Sequence, residues 1–289
     1  MSNRGLFALL LALALSACSR PAEVSPALWQ VDGPQGQRAW LFGTIHALPD
    51  PVDWRSPRIE AAMAGADRLV MEIAAIENQA AIADEFARLD STQGLPPLAE
   101  RLPPADRPSL AALVKREKID GRRLDRSESW AAALILAQVQ QARSGSDSAN
   151  GIDRAVADAM RGKPVAELEG AARQLGLFDA LAEADQRQLL GFALAGAEDA
   201  GGETARLARA WGSGDMALLE SETHQGMLAD PELHEALLAA RNRDWAGQID
   251  ALLRGGARPF VAVGAMHLAG PEGLPALLAE RSWKVTRVQ

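Results

Sequence analysis

Residues 38–46 read Arg-Ala-Trp-Leu-Phe-Gly-Thr-Ile-His, and residues 258–267 echo them as Arg-Pro-Phe-Val-Ala-Val-Gly-Ala-Met-His. Each is a short apolar run that reads as a strand and passes directly into Gly-x-x-His. The glycine permits the tight turn that lets the following side chain reach across a sheet edge. Open α/β sheets bind ligands beyond the carboxyl ends of their strands, so His46 and His267 both fall where sites form.

Outward from the first run, residues 28–31 are a second strand, separated from it by the loop Asp32-Gly33-Pro34-Gln35-Gly36 in a hairpin. Ser56 is placed to cap a helix that begins at Pro57, buries Ile59, Ala62 and Met63 on one face and stops at Gly65. Residues 68–73 (RLVMEI) form a strand with Glu72 at its end, and residues 164–168 (PVAEL) another, followed by Glu169. Residues 78–162 and 171–245 are Ala- and Leu-rich with helical spacing. They include a strong helix over 130–141 and one opened by Asp230-Pro231 that runs through Arg241. A helix over 271–281 and a strand over 283–288 close the chain. The expected fold class is α/β: a mixed β-sheet core of two related halves, each a strand followed by Gly-x-x-His, with a large helical portion inserted between and packed around it.

Of 289 residues 48% are hydrophobic and 24% charged, with a formal net charge of −8, which places the chain among globular proteins and not disordered ones. Aromatic residues make up 4% and Tyr is absent, which argues against a base-stacking surface; the acidic balance argues against phosphate binding. No nucleic-acid partner is expected. Near the N-terminus, Arg4 precedes an apolar run over 6–15 that ends in Leu15-Ser16-Ala17-Cys18. At about 1.5 Å per residue the run spans half of a ~30 Å hydrocarbon core, so it reads as a signal peptide. Leu-Ser-Ala-Cys resembles the lipobox of bacterial lipoproteins, in which the Cys is diacylated. The resemblance implies a signal peptide over 1–17, a lipid on Cys18, a tether over 18–27 and a single domain over 28–289. With Ser19 after the Cys, it further implies an anchor in the outer membrane, facing the periplasm. Cys18 is the single cysteine, so the domain has no disulfide and no catalytic thiolate.

Four side chains at strand ends carry the chemistry: His46, His267, Glu72 and Glu169. Two imidazoles and one or two carboxylates suit a catalytic divalent ion with water in an open position. Arg241, in Arg241-Asn242-Arg243, is a candidate to hold an oxyanion or a substrate carboxylate. His224 and His234 lie in polar helical surroundings. Trp130, Trp211 and Trp245 read as core, and Asp153 and Asp215 as caps or loop hydrogen-bonders, with lining of the pocket as the alternative.

The segments LFGTIHALP (41–49), LVMEI (69–73), GID (151–153), KPVAELE (163–169), WGSGD (211–215), RNRDWAGQI (241–249) and FVAVGAMHLAGPEGL (260–274) together resemble the TraB/GumN family. That family is related to the Tiki metalloproteases and, more remotely, to erythromycin esterase-like and ChaN-like proteins. The resemblance spans the expected mature chain in order. It departs at Ala47, where a bulkier apolar residue often stands, and at Ser282-Trp283, where a Gly often precedes the last strand. It implies an α/β fold of two related halves with the site between them. It also implies a metal-dependent, peptidase-like hydrolase with Zn²⁺, Mn²⁺ or Co²⁺ on His46, His267 and Glu72; Glu169 and Arg241 match further polar positions. A peptide or small-molecule substrate is expected. The alternatives are an envelope lipoprotein that binds a metal, haem or a peptide without turnover, and a buried polar network in which these histidines and carboxylates only fix the packing of the two halves.

Overall fold

The computed structural model describes residues 22–75, 78–196 and 200–289. The expected signal peptide and Cys18 lie outside the described residues, as does the tether up to residue 21. The strands are β1 (Ala22–Glu23), β2 (Leu28–Asp32), β3 (Arg38–Thr44), β4 (Val52–Asp53), β5 (Arg68–Met71), β6 (Val165–Glu167), β7 (Pro259–Gly264) and β8 (Lys284–Arg287). Six of them form one mixed sheet in the order β6-β5-β7-β3-β2-β8, and β1 pairs in parallel with β4 in a separate two-stranded sheet. Strands β6, β5, β7 and β3 run parallel, so their carboxyl ends share one edge. The two strand–Gly-x-x-His units are neighbours in this sheet, with Gly43 opposite Val263 and Thr44 opposite Gly264.

Helices cover both faces, which is why the central strands are apolar without alternation. Trp40, Phe42, Met71 and Phe260 pack on one side with Ile59 and Met63 of helix Pro57–Gly65 and with Val156 of helix Ile152–Ala159. Leu41, Val70 and Val261 point the other way, onto Trp245, Ile249 and Leu253 of helix Ala240–Arg254 and Leu278 of helix Leu274–Glu280. The inserted helical portion has a core of its own around Leu98, Leu124, Trp130 and Leu190. Its buried Arg101 is held by the backbone carbonyls of Pro96, Asp125 and Ser127. Among the described residues no helix is long and apolar enough to cross a membrane.

Two local features differ from the sequence reading. The helix opened by Asp230 does not end near Arg241. Pro231–His234 leads into a π-helical segment, Glu235–Ala239, and then into Ala240–Arg254, which places Arg241 in the first turn after the widened one. Within the expected tether, Ala22–Glu23 pairs with Val52–Asp53, Val24 N–H donates to Asp53 O at 3.0 Å, and Ser25 N–H donates to Gly212 O at 2.7 Å.

Helix Pro57–Gly65 is capped as the sequence suggests: the Ser56 hydroxyl accepts from Ile59 N–H at 3.3 Å. Its other end depends on a distant residue. The Lys163 ammonium donates to the carbonyls of Met63, Ala64 and Ala66, at 2.6, 3.2 and 2.5 Å. Three donors thus meet carbonyls that a helix terminus leaves without partners, and the positive charge lies at the favourable end of the helix dipole. Lys163 precedes β6 by two residues, so the contact ties this helix to the edge strand. Replacing it as Lys163→Met is expected to lower stability by about 1–3 kcal/mol, read as a lower urea midpoint at unchanged slope; an unchanged midpoint would show that water replaces the ammonium at no cost.

Candidate functional site

Four residues of the site, Glu72, Glu169, His46 and His267, follow parallel strands and lie at their common carboxyl edge. Glu72 directly follows β5, and Glu169 lies two residues beyond β6. Their backbones are joined: Glu169 N–H and Gly170 N–H both donate to Glu72 O, at 3.1 and 3.0 Å. Gly170 takes φ 78°, a left-handed conformation, and a Cβ there would press on the Glu167 carboxylate. His46 lies two residues beyond β3, and His267 sits in the short 3-10 turn Ala265–Leu268 after β7.

His46 and His267 share a motif and have opposite surroundings. The His46 side chain is 69% accessible, and its Nδ1 lies 2.7 Å from Asp153 Oδ2. Asp153 is buried in the first turn of helix Ile152–Ala159, where its other oxygen accepts from the Thr44 hydroxyl. The helix start is drawn onto the histidine by Ile152 N–H donating to Ile45 O at 2.9 Å. Gly151 permits this approach, since a Cβ there would collide with the His46 carbonyl oxygen. The charge of Asp153, then its hydrogen bond, push His46 up to about 9.

His267 is 7% exposed. Its Nδ1 meets Asn242 Oδ1 at 2.6 Å, while the Asn242 amide N–H donates to Glu272 O at 2.8 Å. Because the amide nitrogen faces Glu272, its oxygen faces the ring; Nδ1 therefore carries the proton and Nε2 the lone pair. Burial, opposed by the charge of Glu72, pulls His267 down to about 3, so the ring is neutral at physiological pH.

Arg241 lies between the acidic residues and His267. Its Nε donates to both Glu169 oxygens, Nη2 to Glu72 Oε2 and Glu169 Oε2 at 2.9 Å each, and Nη1 to Leu237 O at 3.0 Å and His267 Nε2 at 3.3 Å. All five N–H groups of the guanidinium therefore have acceptors. The Trp245 ring lies 4.6 Å below it and 4.4 Å from the His267 ring. Glu72 Oε1 accepts from Gly264 N–H at 2.8 Å, and Oε2 from Gln174 as well as Arg241. Burial would raise the Glu72 carboxyl, but the neighbouring His267, His46 and Arg241 overcome it and hold it at about 2.

The five candidates, His46, His267, Glu72, Glu169 and Arg241, are thus brought to one edge. Two partners without an assigned role, Asn242 and Gln174, join them, and Asp153, a loop hydrogen-bonder or pocket residue by sequence, both holds His46 and lines the cavity. Asp153 and Asn242 stand inside the quoted segments GID and RNRDWAGQI, but nothing in their local pattern names a partner. Asp215 caps helix Met216–Glu222, and Trp130, Trp211 and Trp245 are buried, as expected. His224 and His234 stack on one another at 5.5 Å, with His234 engaged by Glu272 and Thr223 O. A cavity of about 260 Å³ opens in front of His46, lined by Glu72, Asp153, Gln174, Gln141 and Arg154 among others.

A divalent ion needs several lone pairs aimed at one point. Here Glu72 Oε2, both Glu169 oxygens and His267 Nε2 are directed at Arg241, and His46 Nε2 alone stays free of a hydrogen bond among these donor atoms. Among the described residues no group of three or more His, Cys, Asp or Glu is placed to hold a metal. In this arrangement the expected set of His46, His267 and Glu72 does not fit a metal.

A family model described as the TraB/PrgY/gumN family matches residues 27–287. The chain is also similar to "Uncharacterized protein YbaP" of Shigella flexneri, at 26% identity over 260 residues, which covers 85% of this chain and 89% of that protein. No solved structure matches it.

The Asp153–His46 pair makes a pH prediction. Because His46 is raised from 6.5 to about 9, its contribution to stability is complete below pH 6.5 and is lost as pH rises through about 9. An NMR titration of the imidazoles is expected to place His46 near 9 in the native chain and near 6.5 in Asp153→Asn, with His267 unprotonated throughout. A His46 midpoint that ignores the substitution would remove Asp153 as its partner.

Proposed function

The chain belongs to the TraB/PrgY/gumN family, and on that premise we propose that it is a peptidase-like hydrolase of the bacterial cell envelope whose proton-transfer group is His46. The observation that carries this reading is the orientation of one ring. Nδ1 of His46 is held by buried Asp153, which Thr44 steadies in turn, and the largely exposed ring lines a cavity that Glu72 also lines. An imidazole fixed at one nitrogen by a carboxylate and open at the other has the geometry of a general base.

In the proposed reaction a peptide or amide bond lies against His46 with a water molecule between. Neutral Nε2 takes a proton as the water oxygen bonds to the carbonyl carbon, and returns it to the nitrogen as the carbon–nitrogen bond breaks. Glu72, ionised on the cavity wall, favours the imidazolium that forms between these steps. Arg241 has no free N–H for a substrate, so it acts here by fixing Glu72 and Glu169. Metal dependence belongs to the family resemblance, and no step described here passes through a metal. Location in the envelope, with anchoring through Cys18, rests on the signal-like run and Leu15-Ser16-Ala17-Cys18.

A second reading is peptide capture without turnover. The hydrogen-bonded closure of Glu72, Glu169, Arg241 and His267 favours it, because it leaves one proton-transfer group at the cavity.

Screening the chain against peptide, ester and amide libraries separates the two. Turnover is expected to fall about 10²–10⁴-fold in His46→Ala and to rise with pH about tenfold per unit until it levels near 9. Tight binding with no turnover would replace the hydrolase by the capture reading, and turnover that survives His46→Ala would remove His46 as the base. In cells fed radiolabelled palmitate, label is expected on the native chain and absent from Cys18→Ser; label on both would move the anchor elsewhere.

A further inference from the structure

Glu72 and Glu169 project from adjacent parallel strand ends, and their side chains are 11% and 1% exposed. Two carboxylates brought together out of water either share a proton or are paired with a cation. In many proteins a donor set of two carboxylates and an imidazole gathers a divalent ion for this purpose. Here the same donors converge on a guanidinium. His267 Nε2, Glu72 Oε2 and both Glu169 oxygens each lie within 3.3 Å of an Arg241 nitrogen.

We propose that Arg241 is the resident cation of this site, that the native chain therefore binds no divalent ion through His267, Glu72 and Glu169, and that removing the guanidinium opens a latent metal site among those three residues.

Three observations support the assignment. The donor count closes, since five N–H groups meet acceptors on Glu72, Glu169, His267 and Leu237, and a planar fork is held on several sides at once. The Trp245 ring lies under the guanidinium, in a contact that a delocalised cation makes well. Asn242, adjacent in sequence to Arg241, fixes the His267 tautomer with Nε2 as acceptor toward Arg241. That lone pair would equally serve a metal, so the site has the donors for an ion, and the chain's own side chain occupies the position an ion needs. With Arg241 truncated, four donor atoms would face a common space with no internal cation among them.

The inference stands apart from the hydrolase reading, because it is read from binding and needs no turnover. The full chain, stripped of metal and titrated calorimetrically with Zn²⁺, Mn²⁺ and Co²⁺, is compared with His267→Gln, Arg241→Ala and the Arg241→Ala/His267→Gln double variant. Native chain and His267→Gln are expected to give the same isotherms, since any weak uptake elsewhere does not involve His267. Arg241→Ala is expected to gain one equivalent of tight binding, with a Co²⁺ visible spectrum shaped by nitrogen and oxygen ligands, and the double variant to lose both. Native chain that binds one equivalent lost in His267→Gln would overturn the proposal, as would a folded Arg241→Ala that gains none. Should Arg241→Ala not fold, Arg241→Gln is titrated in its place, and the comparison of native chain with His267→Gln still decides whether the native site takes an ion.

Discussion

The guanidinium of Arg241 is the interaction on which the rest of the site depends. Four parallel strands end at one edge of the sheet, and two of them deliver acidic side chains there within a few residues of their ends. A buried charge network is stable only when every member is satisfied, and losing one partner costs about 3–5 kcal/mol. Arg241 meets that condition with five donors, and it reaches both carboxylates and His267 because it lies in the first turn after a π-helical segment. Such widened turns often occur at functional sites, since they rotate the next turn of side chains about the helix axis. The Leu237 carbonyl, inside the widened segment, accepts from the guanidinium itself at 3.0 Å.

Much of this architecture can be read from local pattern. The apolar runs at 38–42 and 258–263, the hairpin before the first of them and the Ser56 cap are set by nearby residues and recur in the structure. The convergence of His46, His267, Glu72 and Glu169 is also legible, because parallel strands of one sheet must end on the same side. Contacts without a local signature are not. Asp153 is 107 residues from His46 and Asn242 is 25 from His267, and neither spacing has a periodicity to betray it. The strand order, with β7 between β5 and β3, depends on long crossovers that hydrophobic spacing does not specify. Pairing of β1 with β4 is hidden for another reason: Ala22–Glu23 lies in a stretch whose Pro, Ser and Ala content reads as linker.

The deepest gap concerns charge. Two Gly-x-x-His units in matching strand contexts suggest two equivalent imidazoles, and the structure makes them opposites. His46 is largely open to solvent and backed by a carboxylate, so its protonated form is favoured; His267 is enclosed, backed by a neutral amide and set against Arg241, so its protonated form is suppressed. The motif fixes where each ring stands, and the residue behind Nδ1, Asp153 or Asn242, decides what it does.

That division has a chemical consequence. A ring held neutral beside a guanidinium accepts one hydrogen bond and holds its neighbour in place, as His267 does for Arg241. A ring that can gain and lose a proton at the mouth of a cavity is placed to exchange one with a group bound there. The symmetric pair in sequence thus becomes an asymmetric pair in structure. One histidine belongs to the cationic knot that holds Glu72 in place, and the other faces the space that Glu72 helps to line. The electrostatics of this edge therefore depend on both histidines: the enclosed His267 helps Arg241 keep the carboxylates fixed and charged, so that the exposed His46 stands in a constant field.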